Sequence, residues 1–124
     1  MVLSSKTIEK HFKPGADSNQ ALVELRDMSL QFAKQTILNR IQLTIPRGQT
    51  VAVIGESGCG KTMLLKSIVG LIKPTGGQVL YEGEDIHHLS DIELTRLRRK
   101  FGFVFQNAAL FDSMTIGENV AFPL

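Results

Sequence analysis

Hydrophobic and polar positions fall along the chain in patterns that mark out its elements. Leu22-Val23-Glu24-Leu25 opens the ordered part as a strand, and Ile41-Gln42-Leu43-Thr44-Ile45 alternates as a half-buried strand does. Pro46-Arg47-Gly48 reads as a turn. Thr50-Val51-Ala52-Val53-Ile54 is a continuous run rich in β-branched residues, which predicts a strand buried on both faces, as in a helix-covered parallel sheet. The glycine-rich stretch Gly55 to Gly60 follows. Leu64, Leu65, Ile68, Leu71 and Ile72 then recur at helical spacing and predict an amphipathic helix that Lys73-Pro74 stops. Thr75-Gly76-Gly77 turns the chain, Gln78-Val79-Leu80-Tyr81 reads as a strand, and Glu82-Gly83-Glu84 turns it again. Two capping boxes announce later helices: Ser90 with Glu93, where Leu89 can staple onto Leu94, and Thr115 with Glu118. Between them, Phe101 to Phe105 is strand-like. Residues 1–20 are polar and read as a flexible leader.

Bulk composition narrows the class. A length of 124 residues suits one small domain, and 43% hydrophobic with 21% charged residues is the balance of a globular protein, not a disordered one. A net charge of +2 is too small to argue for nucleic acid as a partner. The basic run Arg96, Arg98, Arg99, Lys100 is local, and reads as a solvated helix face or a docking surface. The single cysteine, Cys59, excludes an intrachain disulfide. Residues 1–20 lack an apolar signal core, and no apolar stretch approaches membrane-spanning length, so membrane contact is expected only through a partner.

One motif carries specific chemistry. Gly55-Glu56-Ser57-Gly58-Cys59-Gly60-Lys61-Thr62 fits the phosphate-binding pattern G-x-x-x-x-G-K-[ST] at every position. A polyphosphate needs several backbone N–H donors aimed at one point, and glycines let the chain wrap that closely. The following helix points its positive N-terminus at the same place. Lys61 is then expected to reach the β- and γ-phosphates, and the Thr62 hydroxyl to ligate Mg²⁺. The bland alternative is a glycine-rich turn that binds nothing. The apolar run before the loop and the amphipathic helix after it argue against that alternative.

The order of segments resembles the nucleotide-binding domain of ABC-transporter ATPases. Leu25 to Phe32 resembles that family's opening strand, whose final aromatic stacks on adenine; Phe32 falls on this position, with a plain core aromatic as the alternative. Ile45-Pro46-Arg47-Gly48-Gln49 resembles the approach to the phosphate loop, and Gly70-Leu71 with Pro74-Thr75-Gly76-Gly77 the segment after the first helix. Phe103-Val104-Phe105-Gln106 resembles the Q-loop, whose glutamine contacts Mg²⁺ and the attacking water; Gln106 takes that place, with an exposed amide as the alternative. The stretch from Ala109 to Ile116 and from Glu118 to Leu124 is similar to the lipid-transport branch, which includes the transporters that maintain lipid asymmetry. Met63, where Ser or Thr is usual, and Gly117, where a bulkier residue is usual, depart from the pattern.

The resemblance implies a fold, a ligand and partners. The fold is an α/β P-loop NTPase of ABC type, truncated, with an antiparallel β subdomain packed on an incomplete parallel core sheet. Residues 21–124 correspond to the amino-terminal half of the domain, from Walker A through the Q-loop. The ligand is ATP with Mg²⁺. Cofactor contacts are expected from Phe32, Gly55, Glu56, Ser57, Gly58, Cys59, Gly60, Lys61, Thr62 and Met63, metal contacts from Thr62 and Gln106, and a catalytic role from Gln106. The partners are a transmembrane permease subunit and a second ATP-binding subunit, at the cytoplasmic face of the inner membrane. The Walker B run, the LSGGQ-type signature and the switch histidine do not occur in this sequence, so the chain alone is expected not to hydrolyse ATP. Two other functions stay open: another P-loop enzyme such as a kinase or GTPase, and a non-catalytic module that binds a permease or another ATPase.

Overall fold

A computed structural model describes residues 3–4, 21–107 and 109–122. Two long strands form its frame. Strand β2 (Ala21–Phe32) and strand β3 (Gln35–Pro46) make an antiparallel hairpin, joined by a turn at Ala33 and Lys34. Strand β4 (Gly76–Tyr81) pairs antiparallel with the other side of β2, and β5 (Glu84–Asp85) closes that edge. Strand β1 (Leu3–Ser4) runs parallel to β3 at Leu38 and Asn39, which gives the order β1-β3-β2-β4-β5. It is the part of the predicted leader that the structure describes; residues 5–20 lie outside the described residues.

Alternation builds the core. Val23, Leu25, Met28 and Leu30 of β2 and Leu38, Ile41 and Leu43 of β3 are buried. They pack with Leu64 and Ile68 of helix α1 (Lys61–Ile68), Val79 of β4, Ile86, and Leu97 of helix α2 (Asp91–Arg98). Both predicted capping boxes form, at Ser90 of α2 and at Thr115 of helix α3 (Ile116–Ala121).

Three local expectations need correction. Helix α1 ends before Lys73-Pro74. Gly70 adopts φ +73, and its N–H and that of Leu71 bond the carbonyls of Ser67 and Lys66, a glycine-capped helix end that leaves Leu65 and Leu71 half-exposed. Thr50–Ile54 is not a strand buried on both faces. Val51 and Val53 pack half-buried on the core while Ala52 and Ile54 are exposed, and the run has no ladder partner among the described residues. Residues 101–105 behave alike: Phe101 and Phe103 are half-buried, and Val104 is 94% exposed. Side-chain pattern makes a segment fit for a sheet, but only a neighbouring strand's hydrogen bonds make it one.

Candidate phosphate-binding site

Residues 55–62 join the run ending at Ile54 to α1. Gly58 and Gly60 adopt φ +79 and +104, values open to glycine and strained for other residues. Gly60 serves as the N-cap of α1 with no side chain to cap it, and the Leu64 N–H bonds its carbonyl at 2.9 Å. The N–H groups of the residues just before Leu64 point out of the helix end, as in any first turn. A β-carbon on Gly60 would lie 3.1 Å from side-chain atoms of both Ile37 and Leu38, so the glycine lets the loop sit against β3. Cys59 is buried beneath the loop, and its N–H bonds the Glu56 carbonyl at 3.2 Å.

Lys61 folds back over the loop. Its ammonium donates to the carbonyls of Gly55, at 2.5 Å, and Glu56, at 2.8 Å, and lies 3.9 Å from the Cys59 sulfur. A concentrated positive charge therefore sits above the loop. Beside it lies a cavity of about 460 Å³ lined by Gln35, Ile37, Ser57, Gly58, Gly60, Lys61, Thr62, Met63 and Gln106. A second groove of about 620 Å³ runs between α1 and residues 103–107 with Ala109, and shares Thr62 and Gln106 with the first.

The structure thus gathers Ser57, Gly58, Gly60, Lys61, Thr62, Met63 and Gln106 round one space. Gly55, Glu56 and Cys59 do not line that space; their contacts go to Lys61 and to the loop itself. Phe32 is 48% exposed at the end of β2 and does not line the cavity. Gln35, its ladder partner across the hairpin turn, does line it. Gln35 and Ile37 were not expected from the sequence. The hairpin that brings them there turns at Ala33 (φ +53), without the Asn-Gly or Gly signal that marks such turns.

The sequence profile of the ABC transporter family matches residues 38–122. The chain belongs to the ABC transporter family. Among curated ABC proteins, it is 44% identical over 107 residues to the Fe(3+) ions import ATP-binding protein FbpC of Escherichia coli O157:H7, covering 86% of this chain and 29% of that protein. It is 43% identical over 103 residues to the intermembrane phospholipid transport system ATP-binding protein MlaF of Escherichia coli strain K12, covering 83% of this chain and 38% of that protein. It is 38% identical over 123 residues to the methionine import ATP-binding protein MetN of Rhizobium johnstonii, covering 99% of this chain and 33% of that protein. The chain therefore spans 29–38% of the length of these relatives. The ATP-binding cassette MJ0796 bound to ADP and Pi, a dimer, superposes with a TM-score of 0.75 at 37% identity, covering 82% of this chain and 46% of that one. A bacterial Atm1-family ABC exporter with ATP bound gives 0.74 at 30% identity, covering 88% of this chain and 18% of that one. The fold is accordingly that of an ABC ATPase cassette, with the antiparallel sheet as its β subdomain.

Proposed function

We propose that the chain is the phosphate-binding part of an ABC transporter ATPase subunit, and that it takes ATP with Mg²⁺ in the cavity beside Lys61. The observation that carries this is the meeting of Thr62 and Gln106 with Lys61 round one space, although Gln106 lies far along the chain from the loop. The residues present fit the ligand. The cavity falls within the size range of small-molecule sites, Gly58 and Gly60 hold the left-handed conformations that let a backbone wrap closely round a ligand, and Thr62 and Gln106 supply neutral oxygens that suit a hard divalent cation. In this reading Lys61 leaves the loop carbonyls for the β- and γ-phosphates, Thr62 and Gln106 hold Mg²⁺, and Gln106 also orients water. The N–H groups of Gly58 and of residues 60–63 cradle the phosphates. Phe32, half-exposed at the hairpin end, offers a face for the base.

The same reading gives the chain's partners. The second ATP-binding subunit is supported by the dimeric MJ0796 cassette. The permease is supported by family membership, and among the described residues no helix is long and apolar enough to cross a membrane. A place at the cytoplasmic face of the inner membrane follows from such a partner. Residues 21–124 are then the amino-terminal half of the domain, and the strands that pair with 51–54 and 101–105 come from the rest of it. A lipid or other hydrophobic cargo is supported by the stretch from Ala109 to Leu124 and by the likeness to MlaF.

Calorimetric titration of the chain with ATP and Mg²⁺ tests the ligand: saturable binding is expected, and its absence overturns the reading. Co-expression with permeases of the phospholipid and iron systems tests the cargo. Co-purification with the phospholipid permease alone is expected, and preference for the iron permease overturns the lipid assignment.

A further inference from the structure

The C-terminal end of α1 is closed from outside as well as by its own glycine. Arg98, in the last turn of α2, donates from Nη2 to the Gly70 carbonyl at 2.5 Å and from Nε to the Val69 carbonyl at 3.4 Å. A guanidinium at a helix C-terminus meets both unpaired carbonyls and the negative end of the helix dipole. Leu94 reinforces the joint: its Cδ1 lies 2.9 Å from where a β-carbon on Gly70 would stand, so α2 packs directly on the helix end. Part of the basic run that the sequence suggested as a solvated face is thus a clasp between two helices.

The clasp matters because of what each helix leads to. Thr62 stands in the first turn of α1. Helix α2 passes by a turn, in which the Lys100 and Phe101 N–H groups bond the Leu97 and Arg98 carbonyls, into the segment that ends at Gln106. That segment has no ladder partner among the described residues, and an open groove of about 620 Å³ separates it from α1. Among the described residues, then, no strand pairing sets its distance from α1. What holds its near end is Phe101, edge-on to Tyr81 at 5.4 Å, and α2 itself.

We propose that Arg98 is a positioning residue for Thr62 and Gln106: by tying the end of α1 to the helix that leads into Gln106, it sets the distance at which the two oxygens face a shared divalent cation. The inference rests on the reading that both residues take Mg²⁺. Arg98 itself lines neither the cavity beside Lys61 nor the adjoining groove.

The test is calorimetry of ATP binding to the full chain, with and without Mg²⁺, for wild type, Arg98→Ala and Arg98→Gln. Arg98→Ala should reduce the gain in affinity that Mg²⁺ confers by about tenfold, while affinity without Mg²⁺ stays within about twofold. An undiminished Mg²⁺ gain overturns the inference. So does a parallel loss with and without Mg²⁺, which marks a merely structural arginine. Should Arg98→Ala fail to fold, Arg98→Gln keeps the inner part of the stem but ends two bonds short of the Gly70 carbonyl that Nη2 reaches, so a full Mg²⁺ gain in that variant overturns the inference equally. Wild type that binds ATP without any Mg²⁺ gain overturns the metal reading of Thr62 and Gln106, and Arg98's role with it.

Discussion

The Lys61 ammonium donates to the Glu56 carbonyl at 2.8 Å, so the cation that follows the phosphate loop is also the stitch that holds the loop closed. On the proposed reading, removing it deletes a charge-assisted phosphate contact, and it frees the carbonyls of Gly55 and Glu56. Lys61→Ala should weaken ATP binding by about 10–100-fold, the equivalent of 1.5–3 kcal/mol. Titration of both forms checks this, and equal affinities would falsify the assignment.

Catalysis should be absent or very slow in this chain alone. The cavity walls carry hydroxyl, amide and ammonium groups but no carboxylate among the described residues. Gln106 can orient water, yet an amide cannot accept its proton. Phosphate release by the purified chain should match that of Lys61→Ala. Steady turnover that Lys61→Ala abolishes would contradict the prediction.

Gly77 and Gly83 both adopt positive φ, at +75 and +88, yet they should respond differently to alanine. A β-carbon on Gly77 would stand 2.3 Å from the Asp27 carbonyl oxygen, backbone that cannot step aside, whereas Gly83 has nothing within 4 Å. Gly83→Ala should cost about 1–2 kcal/mol for the left-handed conformation alone. Gly77→Ala should cost about 3 kcal/mol or more, because overpacking adds to the same strain. Urea unfolding of both variants decides it; equal midpoints would show that the β2–β4 contact yields.

Acid should weaken the fold in a window set by His87. Its Nε2 is buried without a hydrogen-bond partner among the described residues. Burial holds its pKa below the ordinary 6.5; Lys73 and His88 add repulsion, and Asp85 opposes them. The unfolded chain therefore takes up the proton first. Stability should be full above about pH 6.5 and fall as pH drops through the lowered value. The carboxylates of Glu24, Glu93 and Glu118, depressed by hydrogen bonds from Arg26, Ser90 and Thr115, act only at still lower pH. His87→Asn should flatten the decline in melting temperature between about pH 7 and pH 5.5. An unchanged slope would assign the decline to other groups.

Residues 51–54 and 101–105 present apolar side chains and unladdered backbone, with Ile54 54% and Val104 94% exposed. The isolated chain should self-associate, and amides at Val51 to Ile54 should exchange rapidly, because unpaired apolar edges recruit other strands. A soluble monomer with protected amides there would count against it. Supplying the remainder of an ABC cassette in trans should restore protection.

Several features depended on sequence alone because their causes are local. The phosphate loop is a run of contiguous residue types whose glycines allow the conformation and whose lysine follows at fixed spacing. The capping boxes at Ser90 and Thr115 formed for the same reason: donor and acceptor lie three residues apart. Parts of β2 and β4 were legible as short strand segments, and within β3 the alternation from Ile41 to Ile45 showed because burial of one face imposes a period of two.

Tertiary structure decided what depends on distant partners. Gln35 and Ile37 reach the cavity only because β2 and β3 fold back on each other, through a turn with no signature residue. Arg98 looked like one of several surface charges until α2 packed on Gly70 and offered it two carbonyls. The run Val51 to Ile54 has the composition of a central strand, but hydrogen bonds to a neighbour are a property of the pair. Composition can make a segment ready for a sheet; only another segment, brought alongside by the rest of the fold, can complete it.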